Sequence, residues 1–129
     1  MKKIALLIAV LFSSALCHAQ QVQEIQIDSI EVSPVLLKKI KTGKVNLIDV
    51  RTPEEFNAGH LKYSKNIDYK KEDFKAQVEK LDKQKPVYLY CRTGNRSGKS
   101  ALILKDLGFT TVYNIGGFEN LKTAGLPAE

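Results

Sequence analysis

The chain has 129 residues, 43% hydrophobic and 26% charged, a balance that excludes a disordered polymer and fits one globular domain. Its 20 basic and 14 acidic residues give a net charge of +6. The basic residues are scattered and no aromatic stripe accompanies them, which excludes a nucleic-acid footprint.

The first segment reads as a leader. Lys2 and Lys3 form a basic start, Ile4 to Phe12 an uncharged apolar run, and Cys17-His18-Ala19 a small-x-small cleavage pattern. This is the layout of a secretory signal peptide. The run is too short for a permanent bilayer anchor. Lipid attachment at Cys17 is disfavoured, because Leu16 stands where such sites want a small residue. The expectation is a leader over 1–19, an N-terminal extension over 20–29 and one domain over 30–129. Cleavage near Ala19 releases a secreted or periplasmic protein without stable membrane insertion. Losing Lys2 and Lys3 leaves 18 basic against 14 acidic residues, net +4. That excess suits small anionic substrates, although most of it reads as a solvated surface. Cleavage also removes Cys17, so Cys91 is the one mature cysteine and forms no internal disulfide. A lone thiol in an oxidising compartment is a liability unless it is buried or used.

Along the chain, Ile25 and Ile27 alternate with polar residues, as do Ile30 and Val32. Ser33-Pro34 predicts an N-cap with proline in the first turn. Val35, Leu36, Leu37 and Ile40 give that helix its apolar side, and Gly43 ends it. Val45 to Val50 predicts a buried strand. Thr52-Pro53-Glu54-Glu55 predicts a capping box, with Gly59 as the stop. Asn66 to Tyr69 suggests a strand, and Phe74, Val78 and Leu81 a helix over 71–82. Pro86 to Tyr90 reads as a second buried strand, followed by a polar loop from Cys91 to Arg96. A helix over 97–107 follows, with Ala101, Ile103, Leu104 and Leu107 inward and Gly108 at its end. Val112 to Ile115 is a last strand, and Gly116-Gly117 a turn into a helix over 118–123. Strands alternating with helices imply an α/β fold with a parallel sheet covered on both faces.

The chemistry concentrates in Cys91-Arg92-Thr93-Gly94-Asn95-Arg96-Ser97. Ligands of open α/β sheets bind beyond the carboxyl ends of the strands, and Cys91 is the first residue past such an end. A loop curling into a helix start aims several backbone N–H groups at one spot and favours an anion there. A cysteine facing that spot has its pKa lowered. Arg92 and Arg96 add positive charge, and Gly94 allows a backbone shape closed to other residues. Phosphoryl transfer and sulfur transfer both use such a cradle. Cysteine phosphatases space cysteine and arginine as Cys-x5-Arg; here the spacing is Cys91-x4-Arg96, and Ser97 holds the phosphatase position. The shorter ring suits one sulfur atom better than a phosphate. No acid lies between Cys91 and Ser97 to protonate a leaving alcohol.

Four blocks in order resemble the rhodanese family. They are Leu47-Ile48-Asp49-Val50-Arg51; Glu55-Phe56-Asn57-Ala58-Gly59-His60-Leu61; Cys91 to Ser97; and Gly108-Phe109 with Val112 to Gly117. The resemblance covers about Ile30 to Pro127. It implies a three-layer fold, a central parallel sheet with helices on both faces. It implies Cys91 as a persulfide-bearing nucleophile and Arg92, Thr93, Gly94, Asn95 and Arg96 as the loop binding the transferred group. The chain departs from the pattern where Tyr63 and Ser64 replace a usual glycine and alanine, and where Leu121 replaces a frequent tryptophan.

Asp49 and Arg51 are expected to form a strand-end ion pair, and His60 to be structural. One mature cysteine and one mature histidine do not make a metal site, and Gly116-Gly117 lacks a nucleotide fingerprint; neither metal nor cofactor is expected. The expected activity moves sulfane sulfur from thiosulfate or a persulfide donor to a thiol or cyanide, or to a partner protein. It requires the Cys91 sulfur to be ionised and open to its donor. A non-turnover sulfur carrier, and a phosphatase or arsenate reductase on the same scaffold, are the rival expectations.

Overall fold

A computed structural model describes residues 33–129. The leader, the extension and the alternating isoleucines near its end lie outside the described residues. The elements are α1 (Pro34–Lys41), β1 (Asn46–Asp49), α2 (Pro53–Asn57), β2 (Lys65–Asn66), α3 (Phe74–Val78), β3 (Val87–Cys91), α4 (Asn95–Asp106), β4 (Val112–Gly117) and α5 (Phe118–Thr123). The strands form one parallel sheet in the order β2-β1-β3-β4.

The side-chain period of two sorts the sheet residues into two cores. Ile48, Val87, Leu89, Cys91 and Val112 join Phe74 and Val78 of α3 and Ala101 and Leu104 of α4. Leu47, Tyr90 and Ile115 join Leu36 and Ile40 of α1 and Phe118 and Leu121 of α5. The architecture is therefore α/β in three layers, with helices on both faces of a parallel sheet, as expected. Leu121 is itself buried in place of the larger tryptophan.

Local signals explain several boundaries. Ser33 caps α1 through its Oγ, which accepts the Leu36 N–H at 3.2 Å. Thr52 and Glu55 form the expected capping box at α2. Val35 is not part of the inner side of α1, being 62% exposed. The helix expected over 71–82 is confined to Phe74–Val78. Past it the chain tightens into three-residue turns, with Lys80 N–H bonding Gln77 O and Leu81 N–H bonding Val78 O. Leu81 still packs on the core. The strand expected at 66–69 is regular only over Lys65–Asn66. Its edge pairing continues irregularly, through Ile67 N–H to Asp49 O and Tyr69 N–H to Val50 O.

Two corrections bear on the sheet's carboxyl end. Cys91 is the last residue of β3 rather than the first past it, pairing with Gly117. Gly116 and Gly117 are not a turn but the end of β4. The register slips there by one residue, Leu89 facing Asn114 and Tyr90 facing Gly116. Gly116 takes φ 99°, in the left-handed region that glycine enters freely. This bulge brings Gly117 level with Cys91.

Candidate active site

β3 carries Cys91 to the sheet's carboxyl end, with its side chain in the core on the α3 and α4 face. Arg92, Thr93 and Gly94 then lead into α4. Asn95 and Arg96, expected in the loop, begin the helix instead. The turn is this short because Gly94 adopts φ 95°. A Cβ at Gly94 would also lie 3.3 Å from Gly116 Cα, so the loop packs directly on the end of β4.

This packing wraps donors around one sulfur. The Gly94 N–H donates to Cys91 Sγ at 3.0 Å, and Ser97 Oγ lies 3.5 Å from the same atom. Burial, the largest single influence, pushes the Cys91 pKa up. The Ser97 hydroxyl and the backbone N–H groups of Ser97, Thr93 and Gly94 together outweigh it, so the thiol is more acidic than an ordinary one. The cradle read from the sequence is present, made mainly of hydrogen bonds rather than guanidinium charge.

The sulfur is less open than expected, since Cys91 is only 1% exposed. The cause is the same short loop: an amide folded back onto Sγ supplies a donor and also covers the atom. Arg92, Thr93 and Asn95 are exposed around this buried centre.

Arg96 holds Glu55 across the gap between α4 and α2, through Nη1 to Oε1 at 2.7 Å and Nη2 to Oε2 at 3.0 Å. Its guanidinium is committed to a carboxylate, while Arg92 is exposed and lines a nearby cavity. That cavity, of about 310 Å³, is bounded by Arg51, Glu55, Gly59, Arg92, Phe118 and Glu119.

Asp49 and Arg51 form the expected strand-end pair. Both are buried; Arg51 Nη2 donates to Asp49 Oδ2 at 2.7 Å and to Gly59 O at 2.7 Å. The Arg51 guanidinium also sits 4.4 Å from the Phe118 ring centre. The pair thus ties β1 to the segment after α2 and to α5. His60 stacks on Phe56 at 3.7 Å between ring centres, and its Nδ1 is 3.0 Å from Phe56 O. Its Nε2 lies 3.4 Å from Glu129 Oε1.

Sequence reasoning did not single out Asn114, which is 4% exposed. Its Nδ2 donates to Gly94 O at 3.0 Å, and its Oδ1 accepts the Ser97 hydroxyl at 2.7 Å and the Gly116 N–H at 3.2 Å. A signal existed: a polar side chain inside an apolar strand must find partners. Ser97, noted only as the occupant of the phosphatase arginine position, is fully buried against the sulfur.

The family model described as rhodanese-like domain matches residues 33–124. Thiosulfate sulfurtransferase PspE of Escherichia coli is 35% identical over 74 residues, covering 57% of this chain and 71% of that protein. Thiosulfate sulfurtransferase GlpE of Ectopseudomonas mendocina is 32% identical over 100 residues, covering 76% of this chain and 88% of that protein. The Bacillus subtilis protein YqhL is 43% identical over 77 residues, covering 59% of this chain and 60% of YqhL. Among solved structures, a rhodanese with anions from E. coli aligns with a TM-score of 0.55 at 34% identity, covering 65% of this chain and 95% of that one.

Proposed function

The chain belongs to the rhodanese-like domain family, and on that ground we propose that it transfers sulfane sulfur through a persulfide on Cys91. The observation that carries this is the buried Cys91 Sγ, receiving the Gly94 N–H at 3.0 Å with the Ser97 hydroxyl 3.5 Å away. These donors favour the thiolate, the nucleophilic form.

In the first half-reaction the Cys91 thiolate attacks the outer sulfur of thiosulfate. The Cys91 S–S bond forms and the thiosulfate S–S bond breaks. Sulfite leaves with the bonding pair, and the enzyme holds Cys–S–S⁻. In the second half-reaction an acceptor thiolate, or cyanide, attacks that outer sulfur and restores the Cys91 thiolate. This is covalent catalysis in two steps, and no proton is transferred between ionised partners. The exposed Arg92 guanidinium, one residue from the sulfur, attracts an anionic donor. The Thr93 and Gly94 amides of the loop, and the first turn of α4 with Asn95, Ser97 and Arg96 fixed by Glu55, surround the transferred group.

The experiment is intact mass spectrometry after incubation with thiosulfate, with Cys91→Ser as control. The expected result is a gain of one sulfur by the wild-type protein, lost again on adding a thiol or cyanide. Absence of that gain overturns the proposal. Export is part of the same reading, supported by the basic-apolar-small layout of residues 1–19; N-terminal sequencing of the protein recovered from the cell envelope tests it.

A further inference from the structure

The Ser97 hydroxyl carries one proton and has two acceptors in reach. Asn114 Oδ1 is 2.7 Å away and Cys91 Sγ 3.5 Å away. The first is a short hydrogen bond; the second is of ordinary length for the larger sulfur atom, which accepts only weakly while it is an uncharged thiol. Ser97 is 0% exposed, so its hydroxyl is shielded from solvent and must serve these neighbours. Rotation about its Cβ–Oγ bond redirects the proton without moving a heavy atom. What decides the direction is the charge on sulfur, because an ionised acceptor binds a donor more strongly than a neutral one.

Asn114 is well fixed as the alternative acceptor. Its Nδ2 is held on Gly94 O and its Oδ1 by the Gly116 N–H. The α4 side is closed as well, since a Cβ at Gly98 would lie 3.2 Å from Asn114 Nδ2. Gly94 O also receives the Gly98 N–H at 3.0 Å, so the loop keeps a main-chain tie that does not depend on Asn114.

We propose that Asn114 is a positioning residue that holds the Ser97 proton whenever the Cys91 sulfur is uncharged and yields it to that sulfur when it is a thiolate. The proposal rests on the sulfurtransferase reading. Over that cycle Sγ alternates between an anion and the uncharged inner sulfur of Cys–S–S⁻. A donor fixed permanently on Sγ would favour the thiolate at the expense of its nucleophilicity. A donor that parks on Asn114 serves both states.

The test is the pH profile of Cys91 alkylation, followed on the Cys91 peptide by mass spectrometry. Asn114→Leu removes the competing acceptor and keeps the branching at Cγ, at the cost of added bulk; Asn114→Val, smaller and suited to a strand, is the second acceptor-free variant. Either should move the profile's midpoint to lower pH, with about fivefold more thiolate at a fixed pH below it, the worth of one net hydrogen bond. Ser97→Ala should move the midpoint up, and adding Asn114→Leu or Asn114→Val to Ser97→Ala should then change nothing. A merely structural Asn114 predicts the opposite sign, a midpoint raised in both backgrounds. That result, or an unmoved midpoint in a folded variant, overturns the proposal. Sulfur gain from thiosulfate is read separately, so loss of that activity in the wild type refutes the transferase reading without altering the proton result.

Discussion

The Arg96 guanidinium and the Glu55 carboxylate meet side by side in two hydrogen bonds, joining the first turn of α4 to the first turn of α2. The arginine next to the sulfur loop is therefore a tether as well as a charge. Bonding to Arg96 is the main reason that the Glu55 pKa falls from 4.5 to about 2. A carboxylate with a depressed folded-state pKa stabilises the fold above its unfolded value and loses that contribution as pH falls. The pair should hold fully above about pH 5 and fade toward pH 2. Both side chains are partly solvated, at 18% and 28% exposure, so we expect about 1 kcal/mol rather than the full Coulombic value. Glu55→Gln keeps an acceptor for the Thr52 cap and removes the charge together with one of the two oxygens that accept from Arg96. Urea titrations should show the variant about 1 kcal/mol less stable at pH 7, with the gap closing near pH 2. A gap independent of pH would mean the ion pair is not its source.

Tyr63 is the one non-glycine residue with positive φ among the described residues, at 68°. The left-handed region costs a residue with a Cβ roughly 1–2 kcal/mol. That cost explains why the family pattern brings glycine at this point. The ring offers little in return, being 45% exposed with the Lys62 ammonium 5.5 Å from its centre. Tyr63→Gly should stabilise the protein by about 0.5–1 kcal/mol, the relief being partly offset by the entropy of an unfolded glycine. Asn tolerates this region better than most residues, so Tyr63→Asn should show a smaller gain. Thermal midpoints of the three proteins check the order Gly above Asn above Tyr.

Gly117 is required for space rather than for backbone freedom. Its φ is −104°, open to any residue, but a Cβ there would lie 2.5 Å from Arg92 O. A contact with a main-chain carbonyl is relieved only by moving the loop. Gly117→Ala should cost about 1–3 kcal/mol, the range of overpacked sites. It should also slow alkylation of Cys91 at pH 7, since the Gly94 N–H lies on that loop and Ser97 in the helical turn that follows it. Gly108→Ala is an informative contrast, because nothing lies within 4 Å of the Cβ position there and its strain, at φ 94°, is far from the sulfur. It should lower stability while leaving the alkylation rate unchanged.

The layers and the site's centre were legible in the sequence because they depend on local patterns. Short apolar runs marked β1 and β3, the Thr52–Glu55 spacing marked the start of α2, and a cysteine between strand and helix marked the cradle. The rest depends on distant partners. Arg96 and Glu55 stand 41 positions apart, and no local signal distinguishes a guanidinium aimed at an anion from one gripping a carboxylate. The bulge at Gly116 reads in sequence as a turn, because glycine serves both. Asn114 sits in a strand whose pattern is otherwise apolar, and its partners Gly94 and Ser97 are 20 and 17 positions away. The burial of Cys91 follows from how tightly Gly94 folds back, a property of the closed loop that spacing alone does not fix.

That tight loop makes a prediction about reagent size and pH together. The hydrogen bonds from Ser97, Thr93 and Gly94 hold the Cys91 pKa below the ordinary thiol value despite burial. Alkylation by a small reagent such as iodoacetamide should therefore have its pH midpoint below that of the same cysteine in urea-unfolded protein. With 1% exposure, a bulky aromatic disulfide should react far more slowly with the folded protein than with the unfolded one, although the folded thiol is more ionised. Ionisation and access act in opposite directions on both reagents, and access weighs far more heavily on the large one. Ser97→Ala should shift the small-reagent midpoint upward and leave the disadvantage of the large reagent intact. If both reagents instead react with folded Cys91 at the same rate relative to unfolded protein, the loop does not gate the sulfur. If the folded midpoint lies above the unfolded one, burial outweighs the donors, and the thiol is a core residue rather than a nucleophile.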